Sequence, residues 1–163
     1  MKLSAFVIGA LAFTVSALPS SSNNERRSFS YHSTVSDPGF YAVSFPPDYH
    51  ENQILQWLSL PTSDKTSALV ARFPAGFSVT QSGPAKINVY TRTSGGIGTY
   101  VGTVGPLSVK NGLVTKAVDV VVATFPAKDS FTFEFQVDSE TENASIQFFE
   151  NDKAGFFIRT GSS

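Results

Sequence analysis

Only two histidines occur in the chain, His32 and His50, and a serine nucleophile would need one of them as its base. It would also need a strained Gly-x-Ser-x-Gly elbow, which the sequence lacks, and no serine has distinctive surroundings. Asp48, His50 and Glu51 stand together in "DYHE". Zinc takes three or four ligands at suitable spacing, so one such cluster reads more simply as a solvated polar loop. Asp138, Glu140 and Glu142, followed by Glu150 and Asp152, carry the oxygens that calcium takes. Their spacing matches no calcium loop, and acidic turns are ordinary on protein surfaces. "GGIGTYVG" (95–102) misses the Gly-x-Gly-x-x-Gly pattern and leads into β-branched residues rather than a helix, so it reads as a hairpin. The chain has no cysteine, which excludes thiol chemistry, cysteine-ligated metal and a disulfide scaffold. The expectation is a non-enzymatic protein with no catalytic residue, metal or cofactor.

Binding chemistry has more to work with. Sugar-stacking surfaces need rings that also carry a polar edge, namely Trp or Tyr. In "QILQWLSL" (53–60), Ile54, Leu58 and Leu60 share one face, while Leu55 and Trp57 share the other. If the first face is core, Trp57 points outward or lies under a loop. Tyr90 is out of phase with the apolar stripe of Ile87, and a five-residue hairpin loop (93–97) would set Tyr100 opposite it. Trp57, Tyr90 and Tyr100 are therefore the expected ligand-binding residues. The competing reading is a covered tryptophan and a cross-strand pair that only stabilises the sheet. Asn143-Ala144-Ser145 is a glycosylation sequon between two expected strands.

The phenylalanines have a different task. "DSFTFEFQVDSE" (129–140) places Phe131, Phe133 and Phe135 at alternate positions, and Val137 continues the row. A one-residue slip would expose every ring, so the alternation fixes which face is buried. Ile87/Val89, Ile146/Phe148 and Leu69/Ala71/Phe73 offer partner stripes of the same period. Burial of each ring contributes up to ~3 kcal/mol, so these stripes should form a core wall rather than a ligand platform.

The elements that must position these residues are strands. Alternating or β-branched runs separated by Gly, Pro, Asn and Ser occur at 29–35, 40–45, 53–60, 68–73, 85–93, 98–105, 113–125, 129–138, 144–150 and 155–160. No segment keeps a 3.6-residue period over three turns, although Asp48 could cap one short helix in "PPDYHENQILQWL". Nine or ten strands without helical crossovers predict an all-β, antiparallel two-sheet β-sandwich of jelly-roll or immunoglobulin-like type. "ARFPAGF" (71–77) and "ATFPAKD" (123–129) end two strands with the same Phe-Pro-Ala stop.

The start of the chain reads as an address. Lys2 precedes an apolar run from Leu3 to Ala17 that closes in Val15-Ser16-Ala17, the pattern of a secretory signal with Ala17 as the last residue removed. The run is shorter than the ~20 residues that span a bilayer. Residues 18–27 are polar and Pro/Ser-rich, a disordered linker or propeptide, in which Arg26-Arg27 is either a dibasic processing site or a solvated charge pair. Residues 28–163 then form a single domain of 136 residues. It carries 9 Lys+Arg against 12 Asp+Glu, a balance that argues against nucleic acid as partner. It contains no second apolar span, so no membrane partner is expected once the signal is removed.

Residues 67–92, "SALVARFPAGFSVTQSGPAKINVYTR", carry Phe73-Pro74-Ala75-Gly76-Phe77, Gly83 and Ile87-Asn88-Val89-Tyr90. This pattern resembles secreted fungal proteins grouped with the ubiquitin-binding "But-two" C-terminal domain, and the later "FTFEFQV" and "GFFIRT" strands fit the same layout. The resemblance implies a secreted β-sandwich without established enzymatic activity, and it supplies no catalytic residues. Many such proteins carry cysteines around the positions of Ala68 and Thr124, which this chain replaces. The resulting expectation is an extracellular or cell-wall-associated interaction protein whose partner is a polysaccharide or an extracellular protein. Its closest competitor is a small carbohydrate-binding module using Trp57 and tyrosines. A jelly-roll hydrolase would need paired acids in one cleft; Glu134 lies on the outward face of its strand, and the sequence names no partner for it.

Overall fold

The computed structural model describes residues 28–139 and 142–161. Ala17, Arg26 and Arg27, which carry the expected cleavage and processing, lie outside these residues, as does Glu140.

The described chain is all-β. Its strands are β1 (Ser30–Ser33), β2 (Gly39–Phe45), β3 (Tyr49–Glu51), β4 (Gln53–Trp57), β5 (Thr66–Phe73), β6 (Thr80–Ser82), β7 (Lys86–Thr93), β8 (Gly96–Val104), β9 (Val109–Lys110), β10 (Leu113–Val114), β11 (Val118–Pro126), β12 (Phe131–Asp138), β13 (Ala144–Phe149) and β14 (Gly155–Thr160). The longer strands follow the expected segments. The run at 113–125 divides into β10 and β11, and "PPDYHENQILQWL" forms β3 and β4 rather than a helix. Among the described residues no helix is long and apolar enough to cross a membrane.

The architecture is an antiparallel β-sandwich whose ladders fall into three four-stranded sheets. The first runs β1-β14-β5-β11, the second β4-β12-β7-β8 and the third β3-β2-β13-β6; β9 and β10 form a separate ribbon. All three sheets contribute to one core. Phe40 of β2, Phe135 of β12 and Phe156 of β14 meet there, with ring centroids 5.6, 4.4 and 5.5 Å apart pairwise. Phe73 and Phe148 close the cluster edge-to-face at 5.1 Å. Edge-to-face and offset pairs add a modest increment beyond area burial, about 0.5–1.5 kcal/mol each.

Phe131, Phe133, Phe135 and Val137 are all buried, so the alternating row is a wall of the core. The partner stripes Ile87/Val89, Ile146/Phe148 and Leu69/Ala71/Phe73 are buried as well. The two Phe-Pro-Ala stops differ slightly. Phe73 ends β5 fully buried, whereas Pro126 is the last residue of β11, an edge strand, where a missing N–H costs no ladder bond.

The edges of the first and second sheets approach closely. A Cβ on Gly102 of β8 would fall 2.8 Å from the Val122 carbonyl oxygen of β11, so only glycine lets the two strands come this near. This closure matters for the site because β8 is the outermost strand of the second sheet, and its side chains form part of that sheet's outer face.

Candidate functional site

The face of β4 is set by its neighbour. Trp57 and Leu55 lie directly opposite Phe131 and Phe133 on β12, so they enter the core with the phenylalanine row. Trp57 is completely buried, and its indole Nε1 donates to the His32 carbonyl at 3.0 Å. The expectation that Trp57 is a ligand platform is corrected: its indole is covered and its one donor is used inside the protein. Ile54 and Leu58, which would lie inside if Trp57 pointed outward, are exposed. Leu60 is buried because Ser59 adopts a positive φ of 55° after the strand ends, which breaks the alternation that grouped Leu60 with Ile54.

The expected cross-strand pairing of the two tyrosines is present. Tyr90 lies across from Tyr100, ring centroids 5.6 Å apart with 66° between the planes. The turn is shorter than expected, two residues between Thr93 and Gly96, yet register shifts on either side of Tyr90 restore the pairing. Tyr100 is more than half exposed and Tyr90 is half-buried. The two rings meet edge to face and form a corner on the sheet surface.

Across the outer face of the second sheet, the register sets Ile54, Glu134, Tyr90 and Tyr100 in one row. The neighbouring row is Gln136, Asn88 and Thr103. Glu134 points to this outer side as expected but is only 5% exposed, because polar side chains cover it. Its Oε1 accepts from Asn52 Nδ2 at 2.9 Å and Gln136 Nε2 at 3.0 Å, and its Oε2 accepts from Arg92 Nη1. Burial pushes the Glu134 carboxyl up; the hydrogen bonds from Gln136, Arg92 and Asn52, with the charge of Arg92, outweigh it and hold the group below the ordinary carboxylate range. A second chain of bonds lies beside it. Tyr100 Oη and Thr103 Oγ1 are 2.6 Å apart, and Thr103 Oγ1 donates to Asn88 Oδ1 at 2.6 Å.

These two networks flank an open cavity of ≈ 370 Å³ lined by His50, Asn52, Asn88, Tyr90, Gln136 and Asp138, among others. That size falls within the range of small-ligand sites. Asp138, one of the acidic side chains weighed and set aside as a calcium ligand, is paired with Lys86 Nζ at 3.0 Å. The loop "DYHE" becomes edge strand β3, with His50 turned to the cavity and the Tyr49 hydroxyl donating to Glu51 at 2.7 Å. His32 lies elsewhere, hydrogen-bonded with Thr160 Oγ1 at 2.9 Å. Among the described residues no group of three or more His, Asp or Glu side chains is placed to hold a metal ion. Asn143 of the sequon is exposed in the connection between β12 and β13.

The tyrosine corner was legible in the sequence; the amides were not. Asn88 and Gln136 are single polar residues at alternate strand positions, a pattern that any solvated sheet face shows, and Asn52 sits in the one-residue link between β3 and β4. Comparison of the chain with protein-family models, curated proteins and solved structures returned no match.

Proposed function

We propose that this protein is a non-enzymatic binding module of the extracellular or cell-wall space that holds a glycan on the outer face of its second sheet. One observation carries the reading: the Tyr90–Tyr100 corner stands beside Asn88 and Gln136, whose amides are already held by intramolecular bonds, at the rim of a ligand-sized cavity. Sugars are recognised by this combination, an aromatic ring against their C–H faces and planar amides against their hydroxyls, and prior fixing lowers the ordering cost of binding. Glu134 is engaged on both oxygens by three donors, which suits a structural carboxylate better than a general acid. The exposed Asn143 supports N-glycosylation, which accords with export.

Binding to insoluble polysaccharides and to soluble oligosaccharides tests the reading. Tyr90→Ala and Tyr100→Ala should each weaken binding by roughly tenfold, in line with ~1–2 kcal/mol for a lost ring contact. Binding that is indifferent to both substitutions would exclude this face. A protein partner is the second reading. It draws on Phe149, 66% exposed on the third sheet at the rim of a separate ≈ 350 Å³ cavity.

A further inference from the structure

We infer that the site selects neutral, polyhydroxylated sugars over acidic ones, and that Glu134 sets this preference as a positioning residue. The inference rests on the glycan-binding reading and adds the ligand class.

A carboxylate can only accept hydrogen bonds, so every group that bonds to Glu134 must present a donor. Asn52 and Gln136 therefore both turn their nitrogens toward Oε1, at 2.9 and 3.0 Å. With one N–H of each amide committed, Asn52 Oδ1 and Gln136 Oε1 are turned away from the carboxylate, and each nitrogen keeps a second N–H. Asn88 is fixed in the opposite sense. Its Oδ1 is taken by the Thr103 hydroxyl, which leaves Nδ2 as the free donor. The cavity wall thus offers two outward carbonyl acceptors together with amide N–H donors, oriented before a ligand arrives.

Its charges are already paired. Arg92 is spent on Glu134 and Lys86 on Asp138, so neither cation remains to neutralise an anionic ligand. A sugar hydroxyl both donates and accepts, and a vicinal pair can serve the cross-strand neighbours Asn88 and Gln136 together. A uronate or sulfate oxygen can only accept. It would lose its hydration and meet the carbonyls of Gln136 and Asn52 and the carboxylate of Asp138, with Lys86 and Arg92 already paired to carboxylates of the protein.

Calorimetric titration of the intact protein at pH 8, where an ordinary imidazole is neutral, provides the test. The probes are neutral gluco-, manno- and N-acetylglucosamine oligosaccharides, with galacturonic acid oligosaccharides of equal length as the acidic set. Wild type should bind its best neutral probe at least ~10-fold more tightly than any acidic one. Glu134→Gln introduces an amide that can itself donate, so Asn52 and Gln136 are free to turn, and the neutral-to-acidic ratio should shrink by ~3-fold or more. Tyr90→Ala should weaken both sets alike and keep the ratio. Acidic probes bound as tightly as neutral ones would overturn the selectivity while leaving glycan binding intact. Failure of every sugar to bind would remove both readings. A folded Glu134→Gln protein with an unchanged ratio would remove the positioning role, and the wild-type panel decides the ligand class whether or not that variant folds.

Discussion

Glu150 accepts the Phe156 N–H at 2.7 Å through one carboxyl oxygen, while its other oxygen is buried without a partner. Burial pushes this carboxyl up from 4.5 to about 7, against the opposing effect of the Phe156 bond. The folded chain therefore retains a proton that the unfolded chain gives up. The stability it contributes is fully present below the ordinary carboxyl value and is lost as pH rises through about 7. Urea unfolding should show wild type losing about 1–3 kcal/mol between pH 5 and pH 8. Glu150→Gln keeps an acceptor for Phe156 and cannot ionise, so its profile should be flatter over that window. Parallel profiles for the two proteins would refute the assignment.

Glu134 is linked to pH in the other direction. Its carboxyl is held low in the folded state, so its contribution is present above the ordinary carboxyl value and lost as pH falls through its folded value. Removing one partner of a fully buried pair costs about 3–5 kcal/mol. The Arg92 side chain is 34% exposed, which reduces the expected loss for Arg92→Ala to about 1–3 kcal/mol at neutral pH. The deficit should shrink at pH 3. A deficit of equal size at both values would show that packing, not charge, is what Arg92 supplies.

Two phenylalanines separate core from surface. Phe135 is 0% exposed between Phe40 and Phe156, whereas Phe149 is 66% exposed. Phe135→Ala should cost about 3–5 kcal/mol, and Phe149→Ala should stay within about 0.5 kcal/mol of wild type. Chemical denaturation of the two variants side by side measures the contrast.

Ala68 and Thr124 are direct partners on β5 and β11. Opposed Cα atoms in an antiparallel pair are about 4.5–5.5 Å apart, within reach of a disulfide. The double variant Ala68→Cys/Thr124→Cys should oxidise to a monomeric cross-link and gain roughly 2–4 kcal/mol over its reduced form. Failure to cross-link intramolecularly would contradict the β5–β11 register.

What the sequence disclosed depended on how strictly each segment alternates. Phe131, Phe133 and Phe135 have polar residues between them, so only one face can be buried, and that face was readable. In β4 and the residue after it both faces are apolar, Ile54 and Leu58 against Leu55 and Trp57, and alternation has no preferred side. The choice was made by β12, eighty residues away in round terms, and by the positive φ of Ser59. Burial of Glu134 was hidden for the same reason. Its covering partners Asn52 and Arg92 lie on distant parts of the chain and come together only through the β4–β12–β7 order. The Tyr90–Tyr100 pairing survived a wrong loop length because the register shifts in the ladder compensated for it.

The bond from the Trp57 indole to the His32 carbonyl joins β4 of the second sheet to β1 of the first. This is the chain's single tryptophan, so its fluorescence reports on one place, the seam where those sheets meet. Separation of the seam would admit water to the indole and shift its emission to longer wavelength, even while the aromatic cluster elsewhere stayed closed. The residue that does not serve as a ligand platform is thus a built-in optical gauge of how the two layers come apart.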